Sequence, residues 1–88
     1  LTELIIPKSV EIIENGAFSY CINLERVTIS GGVKTIASDA FYACEKLTDI
    51  NFEGTMEQWN KIEKAPMWAP MWGKDLVIHC TDGEIKVT

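Results

Sequence analysis

Equivalent apolar residues recur every 23 positions along the first half of this chain. Eight positions of the first copy return in the second, where Leu1, Leu4, Ile6, Val10, Ile13, Ala17, Phe18 and Cys21 correspond to Leu24, Val27, Ile29, Val33, Ile36, Ala40, Phe41 and Cys44. A third copy starts with Leu47, Ile50, Phe52, Met56 and Trp59 and then loses the pattern. A fixed period of this length predicts stacked turns of chain, here called rungs, whose apolar residues fill one shared core.

The same period predicts the organisation of the domain. A chain of 88 residues is long enough for one small domain. We place rungs at 1–23 and 24–46, a partial rung at 47–59, and a C-terminal segment at 60–88. A terminal rung has no neighbour on one side, so the C-terminal segment is expected to cover its open end.

Each rung is expected to begin with a strand that has one buried face. In the first rung Leu4 and Ile6 alternate with Glu3 and Ile5, which is the side-chain period of such a strand. The corresponding strands of successive rungs should pair in parallel, with the apolar residues facing the core. The residues between them would then form an outward strand surface.

The second half of each rung predicts a short helix. We expect helices at 16–21 and 39–44, with Asn15 and Ser38 as their N-caps. A further helical turn is expected at 56–62, where apolar residues are three apart. The predicted class is therefore α/β, with parallel strands on one side of the stack and helical turns on the other.

The C-terminal end carries a hairpin pattern over 76–88, a stretch of alternating apolar and polar residues. Asp82 and Gly83 form a pair that favours a two-residue turn. A turn at this pair would place Ile78 opposite Val87. We expect this hairpin to be the cap of the stack.

Candidate binding residues lie on the outward side of the predicted strands. Repeat arrays bind partners on the continuous surfaces that stacking creates. The residues at these outward positions are mixed in chemistry: Glu3, Ile5, Arg26, Thr28, Asp49 and Asn51. A solvated face without a partner is the alternative interpretation.

Trp68 and Trp72, in a segment rich in tryptophan, methionine and proline, are a second candidate. Exposed tryptophan rings can stack on sugars or anchor a protein contact, so a glycan-binding module is the alternative function. Packing at the end of the stack is the structural alternative for both residues. Trp59 is different, because the 23-residue period aligns it with Ile13 and Ile36 and so predicts a core position.

Catalytic and metal-binding patterns are lacking in this sequence. His79 is the sole histidine, and its neighbour Cys80 should point to the opposite face of a strand. Cys21 and Cys44 occupy the same position of adjacent rungs, which favours a ladder of buried thiols and leaves a disulfide between them open. No catalytic residue, metal ligand or cofactor is therefore predicted.

Charge and hydropathy exclude two classes of partner. The net charge is −5, and no basic stripe is present that would bind a phosphate backbone. The apolar runs are only a few residues long, so no membrane insertion of this segment is expected. The sequence therefore predicts neither a nucleic-acid partner nor insertion of this segment into a membrane.

The repeat Leu-x-x-Leu/Val-x-Ile-x3-Val-x2-Ile-x3-Ala-Phe-x2-Cys at 1–23 and 24–46 resembles the BspA-type (Treponema pallidum-like) leucine-rich repeat. The stretch from Phe52 to Ile62 and the stretch from Val77 to Gly83 are similar to the closing segment of such arrays. The resemblance implies a right-handed α/β leucine-rich repeat solenoid closed by a C-terminal β-hairpin cap. It also implies an extracellular or cell-surface protein of a host-associated bacterium that binds proteins or mediates adhesion.

We therefore predict a non-catalytic module that binds a protein, such as a host extracellular or surface protein, through its outward strand face. A purely structural end of a longer array is a further alternative. The first rung has no visible cap over its apolar residues, so weak self-association through that end is expected. The number of rungs in the parent protein is left open by the sequence.

Overall fold

The fold is given by a computed structural model, which describes residues 2–68 and 76–87. The chain winds so that two sets of short strands alternate along the sequence. The strands are β1 (Glu3–Ile6), β2 (Ile12–Ile13), β3 (Arg26–Ile29), β4 (Thr35–Ile36), β5 (Asp49–Phe52), β6 (Glu63–Lys64), β7 (Leu76–Cys80) and β8 (Gly83–Val87), and one helix, α1 (Met56–Lys61), lies between β5 and β6. Among the described residues the result is a mixed architecture with much strand and little helix.

The strands form two sheets. A five-stranded sheet has the order β1-β3-β5-β7-β8, and a three-stranded sheet has the order β2-β4-β6. All pairs are parallel except β7 with β8. The register aligns Leu4 with Val27, and Val27 with Ile50, at the predicted interval of 23 residues. The stacking of the first three rungs along this sheet is confirmed.

Stacked apolar side chains fill the space between the sheets. The rings of Phe18 and Phe41 stack with their centroids 5.6 Å apart. Phe41 is fully buried, as are Val27 and Ile50. The matched residues of the first rung are more open, since Leu4 and Phe18 are only partly buried. The core residues of the second rung are therefore more fully buried than those of the first.

The predicted helices at 16–21 and 39–44 are wrong, because both segments are runs of turns. In these segments, every second backbone N–H donates to a carbonyl of its own rung, and the N–H groups between them donate to carbonyls of the next rung. Phe18 N–H, for example, donates to the Ala40 carbonyl at 2.9 Å. A helix would direct every amide along its own axis and leave none for the neighbouring rung. Gly16 and Tyr20 have left-handed backbones, which also interrupts a helix. Ser38 is not an N-cap, and its hydroxyl donates to the Pro66 carbonyl.

The third rung is five residues longer than the first two. Ile36 pairs with Lys64, an interval of 28, because α1 is inserted between β5 and β6. Thr55 begins this helix with a capping box, in which its hydroxyl accepts from Gln58 N–H and the Gln58 side chain accepts from Thr55 N–H. The predicted alignment of Trp59 with Ile36 is thus wrong, but its core position is confirmed by 2% exposure. Division of the chain at residue 59 stays a prediction.

The β7 and β8 strands form the antiparallel hairpin, but with a different register from the one predicted. Ile78 pairs with Ile85 rather than Val87, and the connection is Thr81 and Asp82. Both residues of this connection form hydrogen bonds with the segment at the start of α1. Asp82 accepts a hydrogen bond from the first N–H of α1 at 2.8 Å, and Thr81 N–H donates to the Gly54 carbonyl at 2.9 Å.

Candidate functional site

The six predicted binding residues lie on one surface, the outward side of the five-stranded sheet. They form two rows across β1, β3 and β5, and β7 and β8 extend each row by two residues. We call this surface the strand face: one row is Glu3, Arg26, Asp49, Val77 and Lys86, and the other is Ile5, Thr28, Asn51, His79 and Glu84. Sequence reasoning placed residues of the first three strands on this face and missed those that the hairpin strands β7 and β8 add to it.

An ion pair lies at one end of the strand face. The Arg26 guanidinium donates to one Glu3 carboxylate oxygen from Nη2 at 2.8 Å and from Nε at 3.1 Å. The hydrogen bond to Glu3 raises the pKa of Arg26 above its usual value. Both side chains are more than half exposed, so the pair adds little stability. Its main effect is to neutralise both charges on the surface.

His79 joins three strands at the other end of the face. Its Nε2 lies 2.8 Å from Asp49 Oδ1 on β5, and its Nδ1 lies 2.8 Å from Glu84 Oε2 on β8. Two carboxylates can each accept a hydrogen bond from this ring only when both ring nitrogens carry a proton, which is the imidazolium form. In that form the ring carries a positive charge that lies between two negative ones.

The ionisation of this cluster follows from its contacts. The pKa of His79 is raised, chiefly by the hydrogen bond to Asp49 and further by Glu84. The pKa of Asp49 is lowered, first by His79 and then by the Thr48 hydroxyl, which donates to its carboxylate at 2.8 Å. On the strand face, Arg26 is thus paired with Glu3, and His79 is paired with Asp49 and Glu84.

We expect the pH dependence of stability to report the His79 contacts. Because its pKa is higher in the folded than in the unfolded chain, His79 stabilises the fold below about pH 6.5, and this contribution is lost as the pH rises through the raised pKa. Urea unfolding should give a higher midpoint at pH 6 than at pH 8. His79→Gln should reduce that difference, and an unchanged difference in this variant would contradict the assignment.

The position of His79 could have been predicted from strand alternation. His79 and Cys80 lie on opposite sides of β7, as expected, with Cys80 packed against the core. The pairing of His79 with Asp49 was hidden because β5 and β7 are related by 28 residues rather than 23. The 23-residue period alone therefore does not identify Asp49 as the partner of His79.

A shallow depression lies at the β1 end of the strand face. Its volume is about 60 Å³, and it is lined by Glu3, Leu4, Ile5, Arg26, Thr28 and Asn51. Pockets that hold drug-sized ligands usually have volumes of about 300–1,000 Å³. This depression is therefore large enough for a small side chain of a partner and too small for an organic cofactor.

The alternative tryptophan site is only partly described. Trp72 lies outside the described residues. Trp68 is half-buried, its ring meets the Trp59 ring edge to face at 5.6 Å, and its carbonyl accepts from Phe41 N–H at 3.1 Å. These contacts fasten Trp68 to the core, which favours its structural interpretation.

The three cysteines are free thiols. Cys44 is buried, and its thiol donates to the Phe18 carbonyl with the sulfur 3.1 Å from the oxygen. Burial raises the pKa of Cys44 to about 11, so this thiol is protonated near neutral pH and is a weak nucleophile. The Cys21–Cys44 question left open by the sequence is thus answered in favour of two thiols.

Neither a metal-binding cluster nor a membrane-spanning helix is found in the part of the chain that the structure describes. Within residues 2–68 and 76–87, no three histidine, cysteine or acidic side chains converge in a way that would hold a metal ion. In the same part of the chain, no helix has both the length and the apolar character needed to cross a membrane.

Comparison with known proteins identifies the repeat. No curated protein and no solved structure matches the chain significantly. One family model does match, described as BspA type leucine-rich repeat region (6 copies), and it covers residues 1–64 of the 88. That span contains the two complete 23-residue repeats, the stacked Phe18 and Phe41, and strands β1 to β6. With nearly three quarters of its length matched, this chain belongs to the BspA-type leucine-rich repeat family.

Proposed function

We propose that this chain is a non-catalytic protein-interaction module that binds its partner through the strand face. The observation that carries the proposal is the in-register alignment of outward side chains across five strands. This alignment gives a continuous ordered surface whose residues are not needed to fill the core. Membership of a family of interaction and adhesion repeats supports the same function.

The dimensions of the strand face favour a short segment of partner protein. Five strands span about 19 Å at ~4.8 Å spacing, and four-residue strands are about 13 Å long. The face thus measures roughly 250 Å², whereas a standard interface buries about 800 Å² per partner. We therefore propose a loop or extended peptide as the bound element, with one small side chain seated near Ile5 and Thr28.

The charges of the strand face favour an uncharged partner segment. Arg26 is already paired with Glu3, and His79 with Asp49 and Glu84. Lys86, on the edge strand β8, is the one charged side chain of the strand face that lies outside these pairs. A charged partner would have to compete with these contacts. Binding that depends on shape and on neutral contacts should vary little with salt concentration, since screening acts on unpaired charges.

A non-catalytic role is supported by the state of the nucleophiles and the base. The Cys44 thiol is buried with a pKa of about 11. Both ring nitrogens of His79 are engaged by carboxylates, and Cys80 lies on the other side of β7. Neither cysteine has a base beside it that could activate it.

We propose that the rungs form a right-handed α/β solenoid and that the β7–β8 hairpin is its cap. Support comes from Ile78 and Ile85, which pack against the core beyond the last rung, and from the anchoring of Asp82 to α1. The family is typically associated with surface proteins, which supports an extracellular or cell-surface location and a role in adhesion.

Capture of the chain by immobilised extracellular-matrix proteins, measured by surface plasmon resonance, tests the function. Thr28→Lys should weaken the binding at least tenfold, because a long charged side chain fills the depression at the β1 end of the strand face. Thr35→Lys is the matched control, since Thr35 lies in the same rung on the three-stranded sheet. This control should bind as the parent does.

Two outcomes would overturn the proposal. Equal binding by the parent and by Thr28→Lys would exclude the strand face as the binding surface. Absence of binding to every protein of the panel, together with a saturable change of tryptophan fluorescence on addition of glycans, would favour the sugar-binding alternative.

A further inference from the structure

The imidazole ring of His79 lies between two carboxylates that it can hold together only while it is protonated. Asp49 on β5 and Glu84 on β8 are each 2.8 Å from a different ring nitrogen. A neutral imidazole has one N–H and one unprotonated nitrogen. Loss of a proton therefore sets a lone pair of the ring against a carboxylate oxygen, and one of the two carboxylates has to move away.

Glu84 is the carboxylate with fewer contacts to hold it in place. Its side chain is 60% exposed, and within the described residues its carboxylate has no hydrogen-bond donor besides the ring. Asp49 is 37% exposed and accepts a second hydrogen bond from the Thr48 hydroxyl at 2.8 Å. Glutamate also has one more rotatable bond than aspartate, so it regains more side-chain freedom when it is released. Deprotonation should thus leave the proton on Nε2, facing Asp49, and free Glu84.

Two further charged side chains lie near this cluster on the strand face. Arg26 on β3 is paired with Asp49 in the sheet and contributes to the lowered pKa of that carboxyl. Lys86 on β8 lies opposite Val77, two residues along the strand from Glu84. Carboxylates and ammonium groups ordinarily keep their charge near neutral pH. The ring is therefore the group of this cluster whose charge changes there.

The strand face is electrically balanced only while His79 is protonated. Its two rows then contain three cationic and three anionic side chains, which are Arg26, His79, Lys86, Glu3, Asp49 and Glu84. When the ring is neutral, the face has one more anion than cations. The unbalanced charge is then on Glu84, whose carboxylate is bonded only to water.

We propose that His79 is a proton-operated switch of the strand face, which binds its partner tightly when the ring is protonated and more weakly when Glu84 is freed. This inference rests on the proposed function, in which the bound segment is uncharged. Such a segment covers Glu84 without offering it a cation. A carboxylate that loses its water and gains no partner is costly to bury, so the segment selects the protonated face.

One partner segment can reach both the depression and the switch. The depression lies at the β1 end of the strand face, and His79 lies on β7. The distance from β1 to β7 is about 14 Å at ~4.8 Å per strand, and an extended chain advances about 3.3 Å per residue. About five residues of a partner therefore cross from one to the other. On the way they pass Thr28 and Asn51, which are in the same row as His79.

Binding and protonation affect each other equally, because the two equilibria are linked. A partner that prefers the protonated ring raises the pKa of His79 further and takes up protons when it binds. The pKa of the free chain is already raised above 6.5, first by Asp49 and then by Glu84, so the change in affinity falls on the alkaline side of that value. Coupled sites typically change each other's affinity about 5–150-fold, and this partly solvated cluster should lie near fivefold.

NMR of the free 88-residue chain, with labelled histidine and glutamate, tests the switch without a partner. The ring nitrogen shifts should show the imidazolium at pH 6 and the Nε2–H tautomer at pH 9. The side-chain carboxylate carbon of Glu84 should change at the same midpoint as the ring. The Nδ1–H tautomer at pH 9 would mean that Asp49 is released instead, and it would overturn the proposal. A Glu84 signal that ignores the titration of the ring would overturn it equally.

Surface plasmon resonance against the same extracellular-matrix proteins, at pH 6 and pH 9, tests the coupling. The parent should bind about fivefold more tightly at pH 6. Glu84→Gln should bind equally at both pH values, since an amide can accept from the protonated ring, can donate to the neutral one and has no charge to bury. Glu63→Gln is the matched control, because it removes the same charge from the three-stranded sheet. This control should keep the pH dependence of the parent.

The outcomes separate the switch from the proposed function. Parent binding that is equal at pH 6 and pH 9, or that is equally pH-dependent in Glu84→Gln, would overturn the switch and leave the strand face as the binding surface. Binding that survives Thr28→Lys unchanged, or that is absent for every protein of the panel at both pH values, would overturn both.

Discussion

Replacement of Phe41 by alanine is expected to lower the free energy of unfolding by about 3–5 kcal/mol, the range for large aromatic side chains removed from a core. The Phe41 side chain is fully buried, and its ring stacks on Phe18. Its loss leaves a cavity between rungs that the neighbouring strands hold open. A domain of this size has about 5–15 kcal/mol of total stability, so the variant should be close to unfolding at 25 °C. Urea unfolding followed by circular dichroism measures the loss.

Phe18→Ala is the matched control for this prediction. Phe18 occupies the same position of the repeat, one rung earlier, and is only partly buried. Less apolar area leaves water when its ring packs, so we expect less than half of the loss found for Phe41→Ala. Equal losses for the two variants would mean that position in the stack does not determine the contribution of this phenylalanine.

Replacement of Gly32 by alanine should destabilise the fold by about 1–3 kcal/mol, the range for overpacked sites. A Cβ atom at residue 32 would lie 2.8 Å from the Lys8 carbonyl oxygen in the preceding rung. The obstacle is backbone, which is fixed by the stacking of the rungs and has little freedom to move aside. Gly31 meets the following rung in the same way, with its added Cβ 3.0 Å from the Glu53 carbonyl oxygen. The two glycines therefore let adjacent turns approach each other.

Ser9→Ala tests whether the clash at Gly32 is specific. Ser9 is the residue 23 positions earlier and is exposed, so its replacement should change stability by no more than about 0.5 kcal/mol. Alanine in place of glycine also restricts the unfolded chain, which stabilises proteins by roughly 0.4–1 kcal/mol where the site has room. A Gly32→Ala variant as stable as the parent would show that the backbones separate at little cost.

The parts of the fold that follow from repetition could be predicted from the sequence. The two complete repeats share one spacing, so the alignment of Leu4 with Val27 and the stacking of Phe18 on Phe41 could be inferred from spacing alone. The helices predicted at 16–21 and 39–44 could not be tested in that way. Residues four apart share one face of a helix, but in these turns they also share the side that faces the core. Their spacing is therefore the same for a helix and for a run of turns. The hydrogen bonds between rungs favour the turns, and they join residues that are far apart in the sequence.

The strand face was predictable only as far as the 23-residue interval holds. It placed Arg26 beside Glu3 and thereby located one end of the strand face. The other end depends on α1, whose insertion lengthens the third rung and brings His79 beside Asp49. The interval of 28 residues has no second copy in this chain from which it could be recognised. The hairpin register depended likewise on a distant contact, between Asp82 and the start of α1.

Because the first strands repeat at equal intervals, such a surface can grow in evolution by duplication of one repeat. Duplication of the 23 codons for residues 24–46 would insert one further strand and widen the face by about 4.8 Å. The contacts of α1 with the β7–β8 turn would be carried along unchanged, because they lie wholly on the C-terminal side of the insertion. Growth in whole repeats thus enlarges the area available to a partner without redesign of the end of the molecule.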